Sequence, residues 1–258
     1  MTHCNFICTD RGLIGMSKVL ITGASGGVGK AISRELIRGG HEVYGFDRLE
    51  TPGIDHSTIG DLLDRDAVLE AVAGKDIVIH LAAEPDEADF IEKLIEPNVR
   101  GLFHVCDAAQ RQGVSTLILA STVQVILGHS LDELVKIEDG PKVTNHYALT
   151  KLWAEDMGEM YSRMYDLAVI AVRLGWLPRS KEHAEELGAT PWGPDVYFSH
   201  DDAARFFRAC VDVALEPGRF EIVFASSRAK KPRLDPEPAK RLVGFEPQDI
   251  WPEGQPFI

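Results

Sequence analysis

The sequence predicts an α/β fold built on a doubly wound parallel sheet. Two observations predict it. Short, nearly continuous apolar runs alternate with segments of helical periodicity along most of the chain. The first such run opens directly onto a glycine-rich turn followed by a helix, with Gly23, Gly26 and Gly29 spaced as G-x-x-G-x-x-G. The composition agrees, since 45% hydrophobic and 26% charged residues over 258 positions exclude disordered, collagenous and coiled-coil chains.

The elements follow in order. Residues 18–22 read as a buried first strand and 27–38 as a helix closed by Gly39 and Gly40. Residues 41–46 form a second strand that ends at Asp47. A short third strand covers 57–60, and a helix covers 64–72. Residues 76–81 are apolar almost throughout, which suits a strand covered on both faces. A long helical stretch runs from 87 to 110 and is interrupted near Pro97. Residues 116–120 give a fifth strand, 147–165 a helix and 167–172 a sixth strand. Periodicity then lapses over 176–198, where Pro178, Pro191 and Pro194 fall. It resumes as a helix over 201–215, a strand over 219–225 and a short helix over 238–243. The irregular stretches 123–146 and 176–198 are long for a compact domain, as lids and substrate-binding segments often are.

These elements imply three parts. Residues 16–175 form a nucleotide-binding domain, and 176–258 form a small substrate-binding region packed on it. Residues 1–15 are expected to be a loosely held extension or a short packed arm, without the apolar core of a signal peptide. The four cysteines, Cys4, Cys8, Cys106 and Cys210, include no C-x-x-C pair. Reduced thiols in a cytoplasmic protein are expected of them. A net charge of −13 argues against nucleic acid or anionic lipid as partner, and no apolar run is long enough to cross a bilayer.

The glycine spacing carries chemistry. Gly23 permits the tight turn, Gly26 lets the backbone approach a pyrophosphate, and Gly29 lets helix and strand pack closely. The helix N-terminus adds free N–H groups and a positive dipole end. Asp47 closes the second strand, where a carboxylate accepts both ribose hydroxyls and repels a 2′-phosphate. The fold is therefore expected to be Rossmann-type, with NAD as cofactor rather than NADP. Arg48 beside Asp47 is the one residue that tolerates the extra phosphate. Asp61 is placed either for the adenine edge or, like Asp64, for a helix cap. His80 ends the fourth strand as a structural or cofactor-lining residue. His200, Asp201 and Asp202 follow Ser199 as a helix cap rather than a metal site, and no metal is expected.

Tyr147 and Lys151 are spaced Y-x-x-x-K, one helical turn apart, so both side chains lie on one face. A phenol is a poor base at neutral pH, and an ammonium one turn away favours its phenolate. Arg173 ends the sixth strand, where it meets either loop carbonyls or an anionic substrate.

TGASGGVG, HLAA at 80–83, Asn98 in PNVRGLFHVCDAA, LAST at 119–122 and YALTK together resemble the extended short-chain dehydrogenase/reductase superfamily. It is also called the NAD-dependent epimerase/dehydratase family. The resemblance covers residues 17 to about 250 and implies a Rossmann-type sheet with a small C-terminal substrate-binding cap. It implies Thr122, Tyr147 and Lys151 as the catalytic group, with Ser121 as helper. It places Gly23, Ser25, Gly26, Gly27, Val28, Gly29, Asp47, Arg48, Asp61 and Leu62 along the cofactor. Leu81, Ala82, Ala83, Asn98, Ser121 and Lys151 join them. The helices over 87–110 and 147–165 are the usual pairing surface in this superfamily, which implies a homo-oligomer.

Within the superfamily the chain is most similar to the uronate dehydrogenases and their small relatives. It is short after the sixth strand, and YFSHDDAARFF and LVGFEPQD match their pattern. That likeness implies hydride transfer between NAD and a sugar or sugar acid, with a lactone as product. Gln124, Arg173, Trp176 and Arg179 are the expected substrate contacts. Thr122, Val123 and Gln124 stand where uronate dehydrogenases carry Ser-Asn-His, and Trp176 stands where they carry serine. Val123 and Gln124 also lack the acid pair of the sugar dehydratases. Two alternatives remain at this point. One is a sugar epimerase using the same three residues, and the other is a non-catalytic dinucleotide-binding regulator.

Overall fold

A computed structural model describes residues 15–130 and 132–258. The expected N-terminal extension therefore lies, up to residue 14, outside the described residues, together with Cys4 and Cys8. Seven strands form one sheet: β1 (Lys18–Thr22), β2 (Glu42–Asp47), β3 (His56–Ile59), β4 (Ile77–His80), β5 (Thr116–Thr122), β6 (Ala168–Leu174) and β7 (Phe220–Ala225). All pairings are parallel, in the order β3-β2-β1-β4-β5-β6-β7. The order reverses between β1 and β4, and a doubly wound sheet opens its ligand crevice at such a switch point.

The helices are α1 (Gly27–Arg38), α2 (Arg65–Val72), α3 (Leu102–Arg111), α4 (His146–Tyr165), α5 (Lys181–Ala189), α6 (His200–Asp212) and α7 (Glu237–Val243). Side chains alternate across each strand, so β1 feeds two cores. Val19 and Ile21 meet Ile32 and Leu36 of α1 and Phe206 and Phe207 of α6. Leu20 joins the core on the other face, with Val68 and Val72 of α2, Val105 of α3, and Ala154 and Tyr161 of α4. Both faces of the sheet are thus covered, which explains why β4 and β5 are buried without alternation.

Three stretches differ from the sequence reading. The helix expected from residue 87 begins as π-helical turns at Phe90–Leu94 and Glu96–Gly101, and becomes α-helical only at α3. Pro97 lies inside the second of these and has no N–H to keep the regular ladder. The stretch 176–198, expected to be irregular, contains α5, capped by Ser180, whose hydroxyl accepts from the His183 N–H at 3.1 Å. The C-terminal region also contributes to the main sheet: β7 lies beside β6, and α6 packs on α1.

Ser199 caps α6, with its Oγ accepting from the Asp202 N–H at 2.8 Å. Asp202 is fully buried and accepts from the Ser227 hydroxyl at 2.7 Å and the Arg205 guanidinium at 2.7 Å. This is the cap expected of that segment. Among the described residues no helix is long and apolar enough to cross a membrane. None of their His, Cys, Asp and Glu side chains form a group of three or more able to hold a metal ion.

Candidate active site

The loop after β4 and the C-terminal ends of β5 and β6 open onto a cleft of about 940 Å³, which Val28 of α1 also lines. Beside it lies the glycine loop, packed against Ala82. Gly23 has φ +76°, and a Cβ there would stand 2.8 Å from the Ala82 nitrogen. A Cβ on Gly29 would stand 2.4 Å from the Gly23 carbonyl oxygen, so α1 can sit this close to β1 only with glycine there. Gly26 caps α1 without a side chain to fill the helix end, and Gly26 and Gly27 are exposed. The first-turn N–H groups thus point at open space, as an anion site requires.

His200 packs behind this loop. Its Nε2 is 3.2 Å from where a Gly27 Cβ would be, and the residue is 5% exposed. Neither ring nitrogen has a hydrogen-bond partner among the described residues, and burial holds the imidazole below its ordinary pKa. At the tip of β2, Asp47 accepts from the Ser25 N–H at 3.0 Å and the Leu49 N–H at 3.1 Å. Arg48 is exposed beside it. An uncapped glycine helix end, a carboxylate one strand away and an orphaned imidazole together fit a dinucleotide. Gly23, Ser25, Gly26, Gly27, Val28, Asp47 and Arg48 are positioned to hold it.

The adenine-side candidates divide. Asp61 accepts from the Leu63 N–H at 2.9 Å, while Asp64 caps α2 by accepting from the Asp66 and Ala67 N–H groups at 3.1 Å. Leu62 turns its side chain into the core against Gly101. Asn98 is buried with its amide engaged: it accepts from the Glu84 N–H at 2.7 Å and donates to the Glu84 carbonyl at 3.0 Å and to Thr150 Oγ1 at 3.2 Å. It fixes the loop after β4, the segment that brings Leu81, Ala82 and Ala83 beside the glycine turn. His80 is buried, and its Nδ1 is 2.7 Å from Thr22 Oγ1, which is the structural role.

The cleft floor brings Thr122, Tyr147 and Lys151 together. Thr122 ends β5, and its Oγ1 accepts from the Gln124 N–H at 3.2 Å. Lys151 Nζ donates to the Ala120 carbonyl at 3.0 Å and lies 5.8 Å from the Tyr147 ring centroid. Burial lowers the Lys151 pKa to about 8. Burial and the Asp86 charge raise that of Tyr147, against the opposing pull of Arg179 and the Thr122 hydroxyl. In the protein alone the phenol is therefore less acidic than normal, and a further cation is needed to make it a base.

Arg173, expected at the substrate, is placed elsewhere. Its side chain is buried, with Nε and Nη2 on the two carboxylate oxygens of Glu155 at 2.9 and 2.8 Å. Ser121 gives its hydroxyl to the same Glu155 at 2.6 Å. Register explains this, because β5 and β6 set Ser121 beside Arg173, and α4 lays Glu155 over both. Gln124, Trp176 and Arg179 do line the cleft.

Several cleft residues escaped the sequence reading. Glu87 accepts from the Tyr147 N–H at 3.1 Å and bonds His146 Nδ1 at 3.0 Å, which fixes the first turn of α4. Asn145 caps that helix through the Ala148 N–H at 2.7 Å and donates to Gln124 Oε1 at 2.8 Å. Asp86 carries a positive φ of 63° and pairs with Arg179. His183 and Trp192 complete the outer wall. The acidic cluster E-P-D-E after β4 was the available signal for Asp86 and Glu87.

A family model described as "NAD dependent epimerase/dehydratase family" matches residues 19–177. The chain belongs to the NAD-dependent epimerase/dehydratase family. A curated relative, the L-arabinose 1-dehydrogenase (NAD(P)(+)) of Haloferax volcanii, is 28% identical over 250 residues, covering 91% of this chain and 97% of that one. A uronate dehydrogenase of Pseudomonas syringae pv. tomato is 32% identical over 163 residues, covering 62% of this chain and 59% of that one. The crystal structure of uronate dehydrogenase from Agrobacterium tumefaciens superposes with a TM-score of 0.79 at 24% identity, covering 91% and 85% of the two chains. That superposition shows the fold, a Rossmann-type parallel sheet flanked by helices.

Proposed function

We propose that the chain is an NAD-dependent dehydrogenase that oxidises a sugar or sugar acid at its anomeric hydroxyl to a lactone. The observation that carries it is the convergence of Thr122, Tyr147 and Lys151 in a cleft that Val28, in the first turn of the uncapped glycine helix, also lines. Sugar dehydrogenases among the relatives support it. Bound NAD supplies a hydride acceptor and a cationic ring. Tyr147, as its phenolate, takes the proton of the sugar hydroxyl on its phenol oxygen. Thr122 donates to the same sugar oxygen and holds it in line. Lys151, one turn along α4, would hold the nicotinamide ribose, and its charge together with the cationic ring would favour the phenolate. Trp176, Arg179 and α5 form the substrate side, so the region after residue 176 supplies specificity while β7 and α6 complete the sheet.

The test is absorbance at the NADH band on mixing the protein, NAD and a panel of aldoses and uronates. Net NADH supports the reading. Stereochemical exchange at a sugar carbon without net NADH would replace it with epimerisation.

The same reading makes the protein a cytoplasmic homo-oligomer. Cys106 and Cys210 are buried free thiols, which suits a reducing compartment. Phe103 on α3 and Trp153, Met160 and Met164 on α4 are exposed apolar side chains on the helices expected to pair. Sedimentation equilibrium checks this, and a monomer at micromolar concentration contradicts it.

A further inference from the structure

We propose that the sugar end of the cleft takes an uncharged aldose and rejects the corresponding uronate or sugar phosphate. The proposal rests on the dehydrogenase reading for its chemistry, but its test reads binding as well as turnover.

An anionic sugar needs a cation with free donors. Two cations were available in the sequence for that task, and the structure commits both. Arg173 is buried against Glu155 and does not line the cleft, although its Nη1 has no partner among the described residues. Arg179 reaches the cleft but is held by both carboxylate oxygens of Asp86. Lys151 stands on the floor, bonded to the Ala120 carbonyl. The wall otherwise carries Asp86, Glu87, Glu182 and Glu186. Four carboxylates thus face two cations around one cleft, within a chain of net charge −13. An entering carboxylate or phosphate meets repulsion from the wall and the surrounding field, and to pair with Arg179 it must displace Asp86.

The same wall suits a neutral sugar. Carboxylates only accept hydrogen bonds, and the hydroxyls of an aldose are donors. Trp176 stands 5.6 Å from Trp192 and 5.5 Å from His183, ring centre to ring centre. Its Nε1 is spent on His183 Nε2 at 2.5 Å, which leaves the indole as an apolar surface for the C–H face of a sugar ring.

Asp86 is the switch residue for this selectivity. It sits at φ 63°, a conformation that asparagine also tolerates, so Asp86→Asn preserves the turn while releasing Arg179. The experiment uses matched pairs that differ only at C6, glucose with glucuronate and galactose with galacturonate, together with xylose, arabinose and glucose 6-phosphate. Binding is followed by tryptophan fluorescence of the protein saturated with NADH, and turnover by NADH formation from NAD. In the wild type, neutral aldoses are expected to bind, and to be oxidised, at least tenfold more effectively than their uronates. In Asp86→Asn the ratio is expected to shift at least tenfold toward the uronate. Selective aldose binding without any NADH would end the dehydrogenase reading and leave this inference standing. A wild type that binds uronate or sugar phosphate as well as aldose, or that binds no sugar, overturns it. So does an unchanged ratio in a folded Asp86→Asn protein.

Discussion

Glu155 of α4 and Arg173 of β6 form a bidentate ion pair at 2.9 and 2.8 Å, with side chains 3% and 2% exposed. Through it the helix that carries Tyr147 and Lys151 is pinned to the strand beside Thr122. Ser121 adds a third bond to the same carboxylate. Removing one partner of a buried pair strands the other charge, at a cost of roughly 3–5 kcal/mol. Glu155→Leu is therefore expected to lower stability by about that amount in urea unfolding. Glu155→Leu with Arg173→Met should recover most of it, since neither charge is then left alone. A single variant within about 1 kcal/mol of wild type would show that the pair is not holding α4.

Tyr147 is the group whose loss separates chemistry from binding. Removing a general acid or base costs about 10²–10⁴-fold in rate. Tyr147→Phe is expected to lose that much in kcat while the Kd for NADH stays within about twofold, because the ring, the glycine loop and Asp47 are untouched. Steady-state rates and fluorescence titration of NADH give the two numbers. Equal losses in both would make Tyr147 a positioning residue.

Cofactor choice rests on Asp47. Its carboxylate is already anchored by two backbone N–H groups from Ser25 and Leu49, so its charge is fixed at the end of β2. Arg48 is exposed next to it. Asp47→Ser removes the charge that repels a 2′-phosphate and leaves the arginine. The ratio of Kd for NADP to Kd for NAD is expected to fall at least about tenfold, which is one unit of 1.4 kcal/mol. Titration of both dinucleotides measures it, and an unchanged ratio would place the discriminating group elsewhere.

The sheet was legible because each buried strand is an apolar run ended by a turn, and β1 and α1 match their expected bounds. The pairing of Tyr147 and Lys151 was legible because they share a helix turn, whereas Thr122 came only through the family resemblance, since the strand expected over 116–120 in fact runs on to it. Helix α5 was not, since KEHAEELGA buries only Ala184 and Leu187 and so carries almost no apolar stripe. Its one local signal was Ser180. The partners of Arg173 and Arg179 were illegible for another reason. Glu155 is brought to Arg173 by the packing of α4 on the sheet, and Asp86 lies 93 residues from Arg179. Local pattern shows that an arginine stands near the active end of the sheet, but only packing shows which charge has taken it.

His80 links the floor of the site to acid stability. It is 5% exposed, and burial first and the Lys151 charge second lower its pKa from 6.5 to about 3. In the unfolded chain the imidazole takes a proton as pH falls through 6.5, whereas in the folded protein it stays neutral until about 3. Between these values the unfolded state holds more protons, so stability falls as pH falls. The stabilisation relative to acid is complete above 6.5 and lost progressively toward 3. At pH 5 this group alone costs about 2 kcal/mol, at 1.36 kcal/mol per unit. His80→Gln keeps a hydrogen-bonding amide near Thr22 but removes the titration. The variant is expected to start less stable at pH 7.5, from lost packing, and to lose about 2 kcal/mol less than wild type on going to pH 5. Urea unfolding at a series of pH values measures the difference. Parallel curves for the two proteins between pH 7.5 and 4 would mean that His80 accepts its proton in the folded state as readily as in the unfolded one.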